Sequence, residues 1–292
     1  MVSFMKSRTA PRLGLFLGRF VSRPQAHRMA DFLANRVSGM KSSPVIQDLR
    51  RNLAVVHGCP AESRGLDAEL QKTLRNAGRS FADWYLAVSR GSDFILKHCL
   101  IDRQWDDWIR RFDAADRGTV VVGGHLGGYN IPMMILGLRR IPVQILSTAD
   151  PRGSYLVDNE VRHRFGAEIT PVSGRSLRRA LKRLQKGGLV ITAVDRADGN
   201  GEELVFFGRK ARLPSGHVRL ALRTDSRILV TMCHRLPDGR HRVAAPYVLD
   251  PRDTAGGEGR VRDIAQNIVF VVEQFIRKHP DEWYMFHPVW PG

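Results

Sequence analysis

TVVVGGHLGGYNIPMMILGL, residues Thr119 to Leu138, decides the fold, because a β-branched run passes through a glycine-rich turn directly into a helix. Thr119, Val120, Val121 and Val122 spell a buried strand, since branched side chains suit a pleated surface, and Gly123-Gly124 ends it. His125 follows at once. Gly127 and Gly128 keep side-chain bulk away from the imidazole, which lets a substrate's backbone or head group approach. Ile131 to Leu138 then reads as a helix, with Pro132 tolerated in its first turn. The positive end of a helix dipole disfavours imidazolium and keeps such a ring available as a neutral base. Locally, the same pattern also fits a packed loop histidine.

Working outward, strand and helix patterns alternate from Thr119 onward, with further strands at Val143 to Leu146 and Leu189 to Val194. Arg227 to His234 and His241 to Val248 bracket Pro237-Asp238-Gly239-Arg240 and read as a hairpin. Gly174 to Gln185 is an amphipathic helix with Leu177, Ala180, Leu181 and Leu184 opposite a basic face, and Val261 to Lys278 is a last one. Before Thr119 the pattern is helical: Pro11 to Val37, broken at Pro24, then Val45 to Leu53 and Asp67 to Ser89. The expected class is α/β, a central mixed sheet flanked by helices, with a helical N-terminal region. Residues 1–40 form an amphipathic segment and 41–292 the main domain. Leu13, Phe16, Leu17 and Phe20 lie on one face of that segment with Arg12, Arg19 and Arg23 among them. Such a face suits the headgroup region of an anionic membrane or packs on the body of the protein.

The charge narrows the partners. Forty-six Lys and Arg against 29 Asp and Glu give +17 over 292 residues, which calls for an anionic partner. Zinc-finger spacing, a basic region running into heptads and an aromatic RNA-binding signature are all missing, so nucleic acid is not expected. Cys59, Cys99 and Cys233 are far apart and odd in number, which suggests neither a disulfide framework nor a metal site. No run approaches the roughly 20 apolar residues that cross a bilayer; Leu13 to Val21 is short, carries Arg19 and is not read as a signal peptide. No G-x-G-x-x-G follows a strand, and G-x-S-x-G is absent.

His125-Leu126-Gly127-Gly128-Tyr129-Asn130 is one of several short motifs. Arg51-Asn52-Leu53 precedes it; Asp195-Arg196-Ala197-Asp198-Gly199, Phe206-Phe207-Gly208, Leu213-Pro214-Ser215-Gly216 and Leu220-Ala221-Leu222-Arg223-Thr224 follow, and Pro280-Asp281-Glu282-Trp283-Tyr284-Met285-Phe286-His287 closes the series. In content, order and spacing these resemble the bacterial lipid A late acyltransferase family, which includes phosphatidylinositol mannoside acyltransferases. The resemblance implies an acyltransferase domain over 41–292. His125 would remove a proton from an acceptor hydroxyl, which attacks an acyl carrier protein or coenzyme A thioester. The acceptor would be a glycolipid or related amphiphile, and no metal or bound cofactor is needed. Many relatives carry a more hydrophobic N-terminal anchor; here the +17 charge and the basic amphipathic segment 1–40 lead to the expectation of peripheral attachment to an anionic membrane, at the cytoplasmic face of the bacterial inner membrane.

The family signature, H-x-G-N-W-E or -D, places a carboxylate where this chain has Asn130. Asparagine orients a ring but carries no charge to stabilise imidazolium. Three explanations stand: another carboxylate completes the dyad, the enzyme is slower, or the chain is a catalytically silent relative that binds lipid or anionic partners. The first is favoured, with Asp195 the best match among Asp195, Asp198, Glu202 and Glu203. Arg162 or Arg164 matches an arginine that relatives use for a substrate phosphate or the thioester oxygen, a task suited to a guanidinium. Glu202 is a further substrate-binding candidate. Tyr129, where relatives usually have Trp, lines the acyl pocket or supports the loop.

Overall fold

The computed structural model describes residues 9–110, 117–150, 154–254 and 256–290. Among the described residues, five helices come first: α1 (Thr9–Leu17), α2 (Arg23–Ser38), α3 (Pro44–His57), α4 (Gly65–Arg90) and α5 (Ser92–His98). Local sequence explains their ends. Pro24 sits in the first turn of α2, where a missing N–H costs nothing, and Ser22 caps that helix in a capping box with Gln25. Gly58 ends α3 in the left-handed conformation, φ +63°. β1 (Cys99–Ile101) and α6 (Arg103–Arg110) lead to β2 (Thr119–Gly123). Strands and helices then alternate through α7 (Asn130–Leu138), β3 (Val143–Ser147), α8 (Ser154–Arg164), β4 (Ala167–Pro171), α9 (Gly174–Gln185) and β5 (Leu189–Ala193). The hairpin β6 (Glu202–Phe206) and β7 (Arg209–Leu213) precedes α10 (Gly216–Thr224). Four short strands, β8 (Arg227–Val230), β9 (Cys233–Arg235), β10 (His241–Val243) and β11 (Tyr247–Leu249), come before α11 (Arg260–Lys278).

The main sheet runs β11-β8-β2-β5-β3-β4, parallel except at β11, so it is mixed and flanked by helices as expected. Successive side chains of β2 serve opposite layers. Val120 and Val122 join a core with α9, α10 and α11, while Val121 joins a second core with α4, α7 and α8. That two-sided burial is why the run is continuously apolar instead of alternating.

The expected hairpin between 227 and 248 needs correction. β8 pairs with β2 and β11 in the main sheet, whereas β9 pairs with β10 in a separate sheet with β1. The chain changes sheets at Thr231 and Met232, where the Ala244 N–H donates to the Met232 carbonyl at 2.9 Å and the Thr231 hydroxyl donates to the Ala244 carbonyl at 2.9 Å. The Pro237–Arg240 turn closes only the inner pair.

The N-terminal helices use both of their faces. Ala30, Ala34 and Val37 of α2 are buried, and α2 packs along α4, where Gly78 lets the Ala30 methyl come close. Leu13 and Phe16 of α1, with Phe20, Met29, Phe32 and Leu33, stay exposed. Among the described residues, no helix is long and apolar enough to cross a membrane.

Candidate active site

β2 and β5 are parallel neighbours with Gly123 opposite Ala193, so His125 and Asp195 leave the sheet side by side at its C-terminal edge. The His125 backbone N–H donates to Asp195 Oδ2 at 2.7 Å, and its Nδ1 lies 2.8 Å from Oδ1. An ionised carboxylate requires the proton on Nδ1, which leaves Nε2 as the basic nitrogen. Asp195 is fully buried, and burial pushes its carboxyl up. The charge and hydrogen bonds of His125, with a hydrogen bond from Trp283, outweigh that and hold it below the ordinary 3.8.

Trp283 Nε1 donates to Asp195 Oδ2 at 2.9 Å. It arrives there because the C-terminal segment zips onto the histidine loop: the Tyr284 N–H donates to the His125 carbonyl at 2.8 Å and the Gly127 N–H to the Glu282 carbonyl at 2.9 Å. Asn52, buried in α3, anchors that segment by donating to the carbonyls of Met285 and His287 at 2.9 and 2.7 Å. Phe207 stacks on the Trp283 indole, and Phe206 meets it edge-on. Motifs scattered from Asn52 to His287 thus converge on the support of one aspartate.

His125 lines a cavity of about 590 Å³, within the roughly 300–1,000 Å³ of small-molecule sites. Its wall is largely apolar, drawn from the sheet through Val121, Ile145 and Ile191 and from α7 through Met133 and Leu136. Arg162, Arg196 and Asp198 supply charge to the same wall. A largely apolar cavity with few polar groups and a histidine on its wall is suited to presenting a hydrocarbon chain to a base.

The other candidates separate. Asn130 is buried in the first turn of α7 and does not partner His125; its Oδ1 accepts a hydrogen bond from Arg162 Nη2. Arg162 lines the cavity, and the side chain of Arg164 lies outside the described residues. Tyr129 also lines it, its ring edge-on to His125 with centroids 5.3 Å apart. Glu202 does not line the cavity: on β6 it pairs with Arg219 at 2.6 Å. Gly127 and Gly128 are likewise off the cavity wall, and their reason for being glycine is internal. Gly127 has φ +57°, and a side chain there would overlap the Cys233 carbonyl; one at Gly128 would overlap the His241 ring.

Sequence reading assigned no role to Trp283 or Asn52, although both stand in quoted motifs. An indole 88 residues from its acceptor gives no local signal. It missed outright a second buried pair, His241 with Asp83, whose Nε2 and Oδ2 are 2.9 Å apart.

The family model of bacterial lipid A biosynthesis acyltransferases matches residues 11–291. Phosphatidylinositol mannoside acyltransferases from two strains of Mycobacterium tuberculosis, CDC 1551 / Oshkosh and ATCC 25618 / H37Rv, are similar to the chain. Each is 27% identical over 255 residues, 84% of this chain and 77% of theirs.

Proposed function

We propose a reaction from one premise: the chain belongs to the bacterial lipid A biosynthesis acyltransferase family and is an acyltransferase acting on lipid-like substrates. The acyl chain of an acyl carrier protein or coenzyme A thioester lies along the apolar cavity, its carbonyl carbon near His125. Nε2 takes the proton of an acceptor hydroxyl as its oxygen attacks that carbon. The tetrahedral intermediate collapses, the carbon–sulfur bond breaks, and the thiolate leaves with the proton from Nε2, giving an ester and a thiol. Asp195 holds the Nδ1 proton and offsets the imidazolium charge, which Asn130 could not do. The observation that carries this reading is the buried Asp195 bonded to a histidine that opens on an apolar cavity. The acceptor is read as a glycolipid hydroxyl, since the similar mycobacterial proteins are phosphatidylinositol mannoside acyltransferases.

The exposed apolar residues of 13–33 and the +17 charge support peripheral attachment to an anionic membrane, read as the cytoplasmic face of the inner membrane. Product mass spectrometry with both thioester types and a panel of lipid acceptors tests the reaction. Wild type is expected to yield an acylated product and His125→Ala none; near wild-type transfer by His125→Ala, or no product from wild type with any pair, counts against it.

A further inference from the structure

α9 carries no acid and presents one row of cations to solvent: Arg175, Arg178, Lys182 and Lys186 share a helix face, are all exposed and make no ion pair among the described residues. Arg179 and Arg183 are instead tied to Glu168 of β4. From Arg175 to Lys186 the row is about 16 Å long. Its N-terminal end meets the mouth of the cavity. The exposed residues of the cavity wall, Ala149, Val172, Ala197, Asp198 and Asn200, all follow the C-terminal ends of β3, β4 and β5, and Ser173, next to Val172, caps α9. The sheet separates this row from the apolar face of 13–33. Ala180 and Leu184 of α9 join the core with α10 and α11, whereas Leu15, Val21 and Ala26 pack on the core with α4, α7 and α8. A membrane reached through 13–33 therefore lies across the sheet from the row, and whatever meets the row comes from solution.

We propose that the exposed face of α9 is the docking surface for an acidic carrier protein, which brings the acyl thioester to the cavity mouth from the side away from the membrane. Length and exposure favour a protein over coenzyme A. Coenzyme A gathers its charge at its nucleotide end, which meets only part of a row of this length while the thioester is in the cavity; an acidic helix lies along all of it. The four cations also stand on long side chains in solvent, an arrangement that steers and orients a macromolecular surface and forms no pocket for a small anion. That the partner carries a thioester rests on the acyl-transfer reading; that it is an acidic protein rests on the row.

The test is calorimetric titration with an acyl carrier protein whose prosthetic arm bears an acyl amide, which is not transferred, beside coenzyme A bearing the same amide and vesicles of phosphatidylglycerol. Wild type is expected to bind the carrier protein, more weakly as salt rises through the screening range, and Arg178→Glu with Lys182→Glu to weaken that binding by about ten-fold or more. The coenzyme A analogue does not span the row and the vesicles lie beyond the screening length from it, so both are expected to change by less than about three-fold. No binding of the carrier protein by wild type, its retention in the folded double variant, or an equal loss for the analogue or the vesicles overturns the proposal. If the double variant does not fold, retention in Arg178→Gln with Lys182→Gln overturns it. Binding is read without turnover, so a failed acyl-transfer reading leaves this result intact, and failure here leaves transfer from coenzyme A standing.

Discussion

Asp195 and Asp83 are both fully buried, and each holds a histidine, yet they do different work. Asp195 serves a ring whose side chain keeps 21% of its surface and lines the cavity. Asp83, on α4, is sealed among four partners: Arg23 and His27 from α2 at 2.8 and 2.7 Å, His241 from β10 at 2.9 Å and Arg235 from β9 at 3.3 Å. Burial pushes the Asp83 carboxyl up, but hydrogen bonds from His241, His27 and Arg23 hold it far below the carboxylate range. His241 is itself fully buried against Gly128. A histidine–aspartate pair is thus no mark of an active site on its own. Asp83 is a clamp between the N-terminal helices and the small sheet, and access to the ring is what makes His125 different.

The largest expected difference is in rate. Asp195→Asn should slow transfer by about 100- to 10,000-fold, as for impaired acid–base assistance, while Asp83→Asn changes the rate per folded molecule by less than about ten-fold. Initial rates normalised to folded protein decide, and equal losses from the two would erase the distinction between dyad and clamp. The order reverses for stability. Asp83→Ala strands two guanidinium groups and a buried ring and should cost about 3–5 kcal/mol. Asp195→Asn keeps an oxygen for the Trp283 indole and should cost about 1–3 kcal/mol in denaturant titrations. A larger loss from Asp195→Asn would mean that the site, not the clamp, holds the fold.

Acid sharpens the contrast further. Both carboxyls are depressed in the folded state, so the stability they contribute is present above the ordinary 3.8 and is lost as pH falls from there through the lower folded values. Asp83 faces two guanidinium groups and two histidines, against one histidine and an indole for Asp195, so Asp83→Asn should flatten the acid limb of stability against pH more than Asp195→Asn does. Glu282 gives an effect of opposite sign. Burial pushes it up to about 7, against hydrogen bonds from the Arg235 backbone, so the folded state binds the extra proton and stability falls as pH rises from 4.5 to about 7. Glu282→Gln should match wild type below that window and exceed it above; identical curves on both sides would show that its environment is not depleted of water.

How much of this was legible varies by element. The strand–turn–helix around His125, the break at Pro24 and the terminal helix stand in the sequence because glycine, proline and helical periodicity act over a few residues. β4 and the β6–β7 hairpin were not read, although Leu204 and Phe206 face the core in alternation with Glu203 and Val205. Charged residues interrupt these strands, Glu168 in β4, Glu202 and Glu203 in β6 and Arg209, Lys210 and Arg212 in β7, and the hairpin is completed from outside, where Gln266 of α11 exchanges hydrogen bonds of 2.8 Å with both backbone groups of Val205. The proposed partnership of Asp195 with His125 followed from motif order; that Asn130 serves Arg162 did not.

The sequence by itself determined that a histidine would emerge from a buried strand at a helix start, that the chain would be an α/β protein with a helical N-terminal region, and that it would be strongly basic. Those follow from composition and from short-range conformational preference. Only the tertiary structure decided the partners. Asn130, five residues from His125, turns to Arg162, while Asp195, 70 residues away, reaches the imidazole because β5 settled beside β2 in parallel register. The indole on Asp195, the hydrogen bond from Arg162 to Asn130 and the apolar cavity arise in the same way. Each depends on which distant segments pack together, and an unpaired buried polar group is too unfavourable to leave that choice to proximity along the chain.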